Sequence, residues 1–227
     1  MNELIYNKKI ICPACNKEIE VTKAKTKACK VKSRDTDMCV NYENLNILFY
    51  EVWVCENCGY AALQDKFEGL FTKDSQAIKD KISNHWIKRS FTGERTIEDA
   101  LTAFKLALLS LKVRNAKSSE LAKVCLRIAW LYRSKEDPKE IEFLNFALTS
   151  YSDAYQKERF PLDKLDENTC MYIIAELFRR VGKLNDAILW FSRIVSSVEA
   201  RGNPKLIEMA RDQYQVAKDQ LANVKNT

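Results

Sequence analysis

Two Cys-x-x-Cys pairs, Cys12-Cys15 and Cys55-Cys58, constrain this chain more than any other feature of it. Two intervening residues let the backbone fold back so that both sulfurs of a pair face one ion, at about 2.3 Å for tetrahedral zinc. Each pair has the surroundings of a tight turn. Cys12-Pro13-Ala14-Cys15-Asn16 follows the apolar Ile10-Ile11, and Cys55-Glu56-Asn57-Cys58-Gly59 follows the strand-like Phe49-Tyr50-Glu51-Val52-Trp53-Val54. The residue after the second cysteine of such a turn often takes positive φ, and Asn16 and Gly59 are the residue types that tolerate it best. The spacing predicts one four-thiolate structural site of Cys12, Cys15, Cys55 and Cys58 with Zn2+ as its cofactor. Iron and a redox pair are the other uses of the same sulfurs. Free buried cysteine explains a single residue readily, but not two turn-placed pairs.

The remaining composition narrows the class. With 5 Gly and 4 Pro in 227 residues and 46% hydrophobic residues, the chain is neither disordered nor collagen-like, and it is too long to need a disulfide scaffold. No run approaches the roughly 18 apolar residues of a membrane span, and Met1-Asn2-Glu3-Leu4 leads into Lys8-Lys9 without an apolar signal core. The expectation is a soluble, cytoplasmic protein with no membrane partner, in a compartment that keeps thiols free for metal.

The net charge of +6 is modest. Residues 1–71 carry 10 basic and 10 acidic side chains and the remainder 27 and 21, which is far from the concentrated excess of a dedicated nucleic-acid binder. Locally the pattern is sharper. Lys23, Lys25 and Lys27 alternate with Thr22, Ala24 and Thr26; Lys30, Lys32 and Arg34 then alternate in the opposite phase, and the slip at Ala28-Cys29 reads as a bulge or turn. These cations suit a solvated hairpin face guarded against edge pairing. They also suit phosphate contacts, with Tyr42, Trp53 and Tyr60 as nearby aromatics. Asp35, Asp37 and Cys39 alternate as well. A strand would place them on one face, as a secondary metal or reactive-thiol site or as a carboxylate network fixing the backbone. Cys29 and Cys39 are candidates for a reversible disulfide.

The run from Cys12 through Arg34-Asp35-Thr36-Asp37, Cys39 and Tyr42 to Tyr50-Glu51-Val52-Trp53-Val54-Cys55, then Cys58-Gly59-Tyr60-Ala61-Ala62 and Phe67, resembles the bacterial domain-of-unknown-function family 2225. The resemblance covers most of the chain, but its specific motifs lie before Phe71. Glu56 stands where the family's second knuckle usually has proline, a change in turn rigidity that removes no ligand. The resemblance implies a zinc ribbon followed by tetratricopeptide-like helices, and no activity.

After Phe71 the period changes from alternation to 3.6 residues, so the predicted division is a ribbon over residues 1–72 and a helical-repeat domain over 73–227. The predicted fold class is α+β and mostly α, with about seven antiparallel helices. The stripe Ile97, Ala100, Leu101, Phe104, Leu108 and Leu111 follows Thr96, with Asp99 placed for a capping box. Further starts are marked by Asp74, Ser118 or Ser119, Asp137, Asp166, Asn185 and Asn203. Cys125 and Cys170 fall on apolar stripes and read as core. Residues from Asn168 to Glu199 resemble one tetratricopeptide repeat, with Ala175 and Ala187 at its small positions, Gly182 in the turn and Phe191 filling the gap beside them.

If the first helix of each hairpin lines a concave face, the exposed positions are His85, Arg89, Lys123, Arg127, Trp130, Arg133, Tyr172, Glu176, Arg179 and Arg180. That set would suit an acidic peptide or a chain carboxylate; a solvated charged face is its ordinary alternative. His85 is the only histidine, with no nucleophile or carboxylate near it in sequence, and no Gly-rich phosphate loop occurs. The leading expectation is a non-enzymatic zinc-binding adaptor for a protein or peptide partner. A nucleic-acid-binding ribbon and a thiol sensor are the alternatives.

Overall fold

A computed structural model describes residues 3–197 and 202–225. Where the sequence alternates it forms three antiparallel strand pairs: β1 (Ile5–Ile11) with β2 (Glu18–Ala24), β3 (Val31–Arg34) with β4 (Val40–Tyr42), and β5 (Val52–Val54) with β6 (Ala61–Leu63). The 3.6-residue period becomes α1 (Thr72–Lys81), α2 (Ile97–Val113), α3 (Ser118–Arg133), α4 (Lys139–Lys157), α5 (Glu167–Arg180), α6 (Leu184–Ser196) and α7 (Pro204–Lys225). The fold is α+β and mostly α, with seven helices among the described residues.

One compact unit comprises the chain up to Arg34, Val40–Ala116 and Trp130–Lys135. It continues past Phe71 because α1 and α2 carry apolar faces that the short strand pairs need for burial. Ile78 of α1 and Ile82 at its end are buried in one cluster with Ile10, Ile19, Trp53, Tyr60, Phe67, Cys12, Cys55 and Cys58, and Cys15, together with Val113 of α2, packs against it. Ala100, Ala103, Phe104 and Ala107 are fully buried where α2 lies on β5 and β6, and Ser110 accepts the Ala61 N–H at 3.3 Å. Thr96 and Asp99 form the predicted capping box. The slip at Ala28-Cys29 is a 3-10 turn over Thr26–Ala28, and a register shift follows between Val31 and Ser33.

Arg95 holds this unit together in a way the sequence does not announce. The residue is 8% exposed, and its guanidinium donates to the carbonyls of Phe91 at 2.9 Å, Phe49 at 2.9 Å and Val52 at 2.8 Å. Burial lowers its pKa to about 10, so it stays cationic at neutral pH. Truncation would leave three carbonyls without this donor, and hydrogen bonds to charged groups contribute about 1.5–3 kcal/mol each. We expect Arg95→Met to destabilise the unit by about 2–4 kcal/mol, read as a lower denaturation midpoint; a loss under about 1 kcal/mol would contradict that role.

The second unit comprises Asp35–Cys39, Lys117–Ala129 and the chain from Glu136 onward. Asp166 caps α5 through the Thr169 N–H at 2.9 Å, and Asn203 caps α7 through the Leu206 N–H at 3.2 Å. The carboxylate of Asp137 accepts from Lys139 N at 2.9 Å. At the start of α3 the donors Ser118 and Ser119 find Asp153 of α4 and Glu158 just beyond its end, a tertiary cap. Asn185 is not a cap: α6 begins one residue before it, with Lys183 preceding and no side-chain cap. Ala175, Ala187, Phe191, Ile194, Leu206, Ala210 and Ala217 form one buried cluster of α5, α6 and α7, and Gly182 turns between α5 and α6 at φ 79°. Glu199, the end of the repeat-like segment, lies outside the described residues. Cys125 and Cys170 are buried, and burial pushes the Cys170 thiol up to about 12. No described helix is long and apolar enough to cross a membrane.

Candidate metal centre

The two Cys-x-x-Cys turns repeat one backbone pattern. In the first, Asn16 N–H donates to the Cys12 carbonyl at 2.8 Å and Cys12 N–H to Lys17 at 2.9 Å. In the second, Gly59 N–H donates to Cys55 at 2.8 Å and Cys55 N–H to Tyr60 at 2.8 Å. Asn16 and Gly59 take φ of 57° and 75°, as their residue types predict. The β1–β2 and β5–β6 pairs thus present two turns of matching geometry.

These turns bring all four sulfurs within 4.8 Å of one another, and the pairs Cys12–Cys58 and Cys15–Cys55 are 3.7 Å apart. A tetrahedron with bonds of about 2.3 Å has edges of about 3.8 Å, so the donors fit a four-thiolate ion; a disulfide would need about 2.05 Å. Cys12, Cys55 and Cys58 are buried and Cys15 is half-buried. Hydrogen bonding from Cys12 and Cys58, aided by the backbone N–H groups of Asn57 and Cys58, pulls the Cys55 thiol down, while hydrogen bonding to Cys55 pushes Cys12 and Cys58 up. The Tyr60 N–H faces the Cys58 sulfur. N–H groups turned toward sulfur favour the thiolate, the form a metal requires.

Sequence reasoning missed the residue that seals this site. Trp86 stacks over Gly59 so closely that a Cβ there would lie 2.6 Å from the indole, and Trp86 Nε1 donates to the Glu56 carbonyl at 2.7 Å. Lys88 lies 3.6 Å from the Glu56 carboxylate. Gly59 therefore serves twice, in its φ and in the space it leaves. No periodic signal marks Trp86, which follows a 3-10 turn. Outer-shell partners of metal ligands typically contribute 10–100-fold in affinity, so Trp86→Ala should speed zinc transfer to a chromogenic chelator by about tenfold or more. An unchanged transfer rate would remove Trp86 from that role.

The Asp35-Asp37-Cys39 segment is a turn rather than a strand face. Asp35 N–H donates to Cys39 O at 2.8 Å, Met38 N–H to Asp35 O at 3.0 Å, and Met38 takes φ of 69°. Asp37 is fully buried, with Arg180 Nε at 3.6 Å. Among the described residues only the four knuckle cysteines group as metal donors, so the secondary metal site is not assembled. The segment docks on α5 instead: Tyr172 Oη donates to Thr36 O at 2.9 Å, Thr36 Oγ1 to Glu176 at 2.5 Å, and Arg180 Nη2 to Thr36 Oγ1 at 3.0 Å.

That docking changes the expected groove. Tyr172 and Glu176 are fully buried, and Arg179 and Arg180 are largely covered, both donating to Glu176. Helical spacing marked them as an open face because it could not show that a distant loop lies on it. His85 and Arg89 are exposed, with Arg89 bonded to Asp99 at 2.8 Å. Lys123, Arg127, Trp130 and Arg133 are half-buried, with Lys123 3.6 Å from Asp163 and Arg127 donating to the Lys123 carbonyl. Cys29 and Cys39 are buried, and burial raises the Cys29 thiol, the opposite of what a reactive thiol needs. Trp53 and Tyr60, offered as aromatics for base stacking, are core residues at 3% and 2% exposure.

A family model described as an uncharacterized protein conserved in bacteria (DUF2225) matches residues 5–217. No curated protein and no solved structure matches the chain.

Proposed function

The chain belongs to DUF2225, an uncharacterised bacterial family, and from its four-sulfur site we propose a non-enzymatic adaptor in which zinc fixes the ribbon and the helices serve a protein partner. One observation carries the reading: the sulfurs of Cys12, Cys15, Cys55 and Cys58 lie within 4.8 Å of one another, four donors that could hold one ion. A catalytic zinc keeps a position for water or substrate, whereas four protein thiolates leave none, and a set of this kind is structural. The partner role is supported by the α5–α6 hairpin, whose Ala175, Ala187 and Phe191 occupy the buried crossing in the manner of a tetratricopeptide repeat. For an acidic peptide, Lys123 and Arg127 on α3 are the cations of the predicted groove left in this unit beside the docked Arg179 and Arg180.

Metal analysis of the purified full chain tests the first part. One tightly held zinc per chain is expected; folded metal-free protein, or iron in that place, would overturn it. Affinity purification with the full chain and a Lys123→Glu, Arg127→Glu variant tests the second. Partners retained equally by both would remove α3 from the reading.

A further inference from the structure

The cations between Lys23 and Arg34 are segregated from the rest of the ribbon sequence. Six of the ten basic residues in positions 1–71 lie in those twelve residues, which contain no acid; the rest of 1–71 carries four cations and ten acids. A surface shaped for solubility intersperses the two signs. Lys25, Lys27, Lys30, Lys32 and Arg34 are all exposed, and none makes an ion pair with a described residue. Elsewhere in the same unit Lys8, Lys9, Lys88 and Arg89 pair with Glu68, Glu18, Glu56 and Asp99.

The arm that carries them is held in place. Asn44 accepts from Lys30 N at 3.2 Å and donates to Ala28 O at 3.1 Å, clasping the turn, while Cys29 is buried beneath it and Lys23 lies over the Trp53 ring. Val31 is the one large apolar side chain exposed between Lys23 and Arg34, so the patch lacks the desolvated anchors that carry most protein–protein affinity.

We propose that Lys25, Lys27, Lys30, Lys32 and Arg34 form a binding edge for the phosphodiester backbone of nucleic acid. The edge reads charge. With Trp53 and Tyr60 buried it has no stacking platform of that pair, and its binding is indifferent to base sequence. Affinity comes from counterion release, so salt controls it.

The test is fluorescence anisotropy of the zinc-loaded full chain with a labelled 20-base-pair DNA duplex and an RNA duplex of the same length, between 50 and 200 mM NaCl. Five phosphate contacts give a slope of log K against log salt near −4.5, about a 500-fold loss over that range. A Lys27→Gln, Lys30→Gln, Lys32→Gln, Arg34→Gln variant with wild-type zinc content and melting temperature should lose about 100-fold at 50 mM. Each single glutamine variant should flatten the slope by about 0.9, which keeps the test open if the quadruple variant folds poorly. Equal affinity for both duplexes supports a backbone reader, and a preference for one assigns the edge to that nucleic acid. No duplex binding at 50 mM, unchanged binding by the single variants, or tighter binding to polyglutamate than to either duplex would overturn the proposal.

Discussion

A Cys58→Ser chain is expected to lose its metal and unfold the ribbon, so that hydrogen exchange in β1, β2, β5 and β6 becomes fast. The size of the effect follows from comparing two quantities. Structural zinc binding in small zinc modules has an apparent free energy of about 10–16 kcal/mol at pH 7, while a whole domain is stable by about 5–15 kcal/mol. A variant that no longer holds the metal forfeits that whole binding energy, a quantity comparable to the entire margin. The unfolding should also reach α1, because Ile78 and Ile82 are buried in the same cluster as Cys12, Cys55 and Cys58. Protection in α5 to α7 should persist, since those helices bury their own core. Cys15→Ser should behave alike despite its partial exposure. Unaltered protection in β1, β2, β5 and β6 of either variant would refute the coupling of metal to fold.

Glu176→Ala is expected to loosen α5 by about 3–5 kcal/mol, the cost of removing one partner from a buried ion pair. Glu176 is fully buried and accepts from Arg179 Nε at 2.8 Å, Arg179 Nη2 at 2.6 Å, Arg180 Nε at 2.8 Å and Thr36 Oγ1 at 2.5 Å. Two acids, Asp37 and Glu176, face two guanidiniums, so the cluster is neutral only while it is complete. Its loss should show as faster exchange in α5 and in residues 35–39 together. Tyr172→Phe removes one hydrogen bond, to Thr36 O, and should cost about 1 kcal/mol. A Glu176→Ala effect no larger than that of Tyr172→Phe would mean the charges are solvated. Charge reversal at Arg179 or Arg180 would break this cluster, so it would report on folding of α5 before any partner.

Much of the fold was legible in the residues. Alternation and turn chemistry located the two knuckles, down to the positive φ of Asn16 and Gly59. The 3.6-residue period located seven helices, and Thr96, Asp166 and Asn203 marked three of their starts. These signals are local: each depends on backbone preferences and spacings within a few residues. The start of α3 shows the boundary of that legibility, because Ser118 and Ser119 look like ordinary caps but find their acceptors in Asp153 of α4 and in Glu158 just after it.

By itself the sequence determined which side chains could share a metal, because ligand chemistry and a two-residue spacing act over one turn. Tertiary structure alone decided that Trp86 covers the second knuckle, that Arg95 gathers three carbonyls, and that Thr36 and Asp37 lie on Tyr172, Glu176 and Arg180. Contacts of that kind join residues up to 144 positions apart. No period or cap encodes them; they exist only once the chain has closed on itself and buried polar groups must find partners or lose their hydration uncompensated.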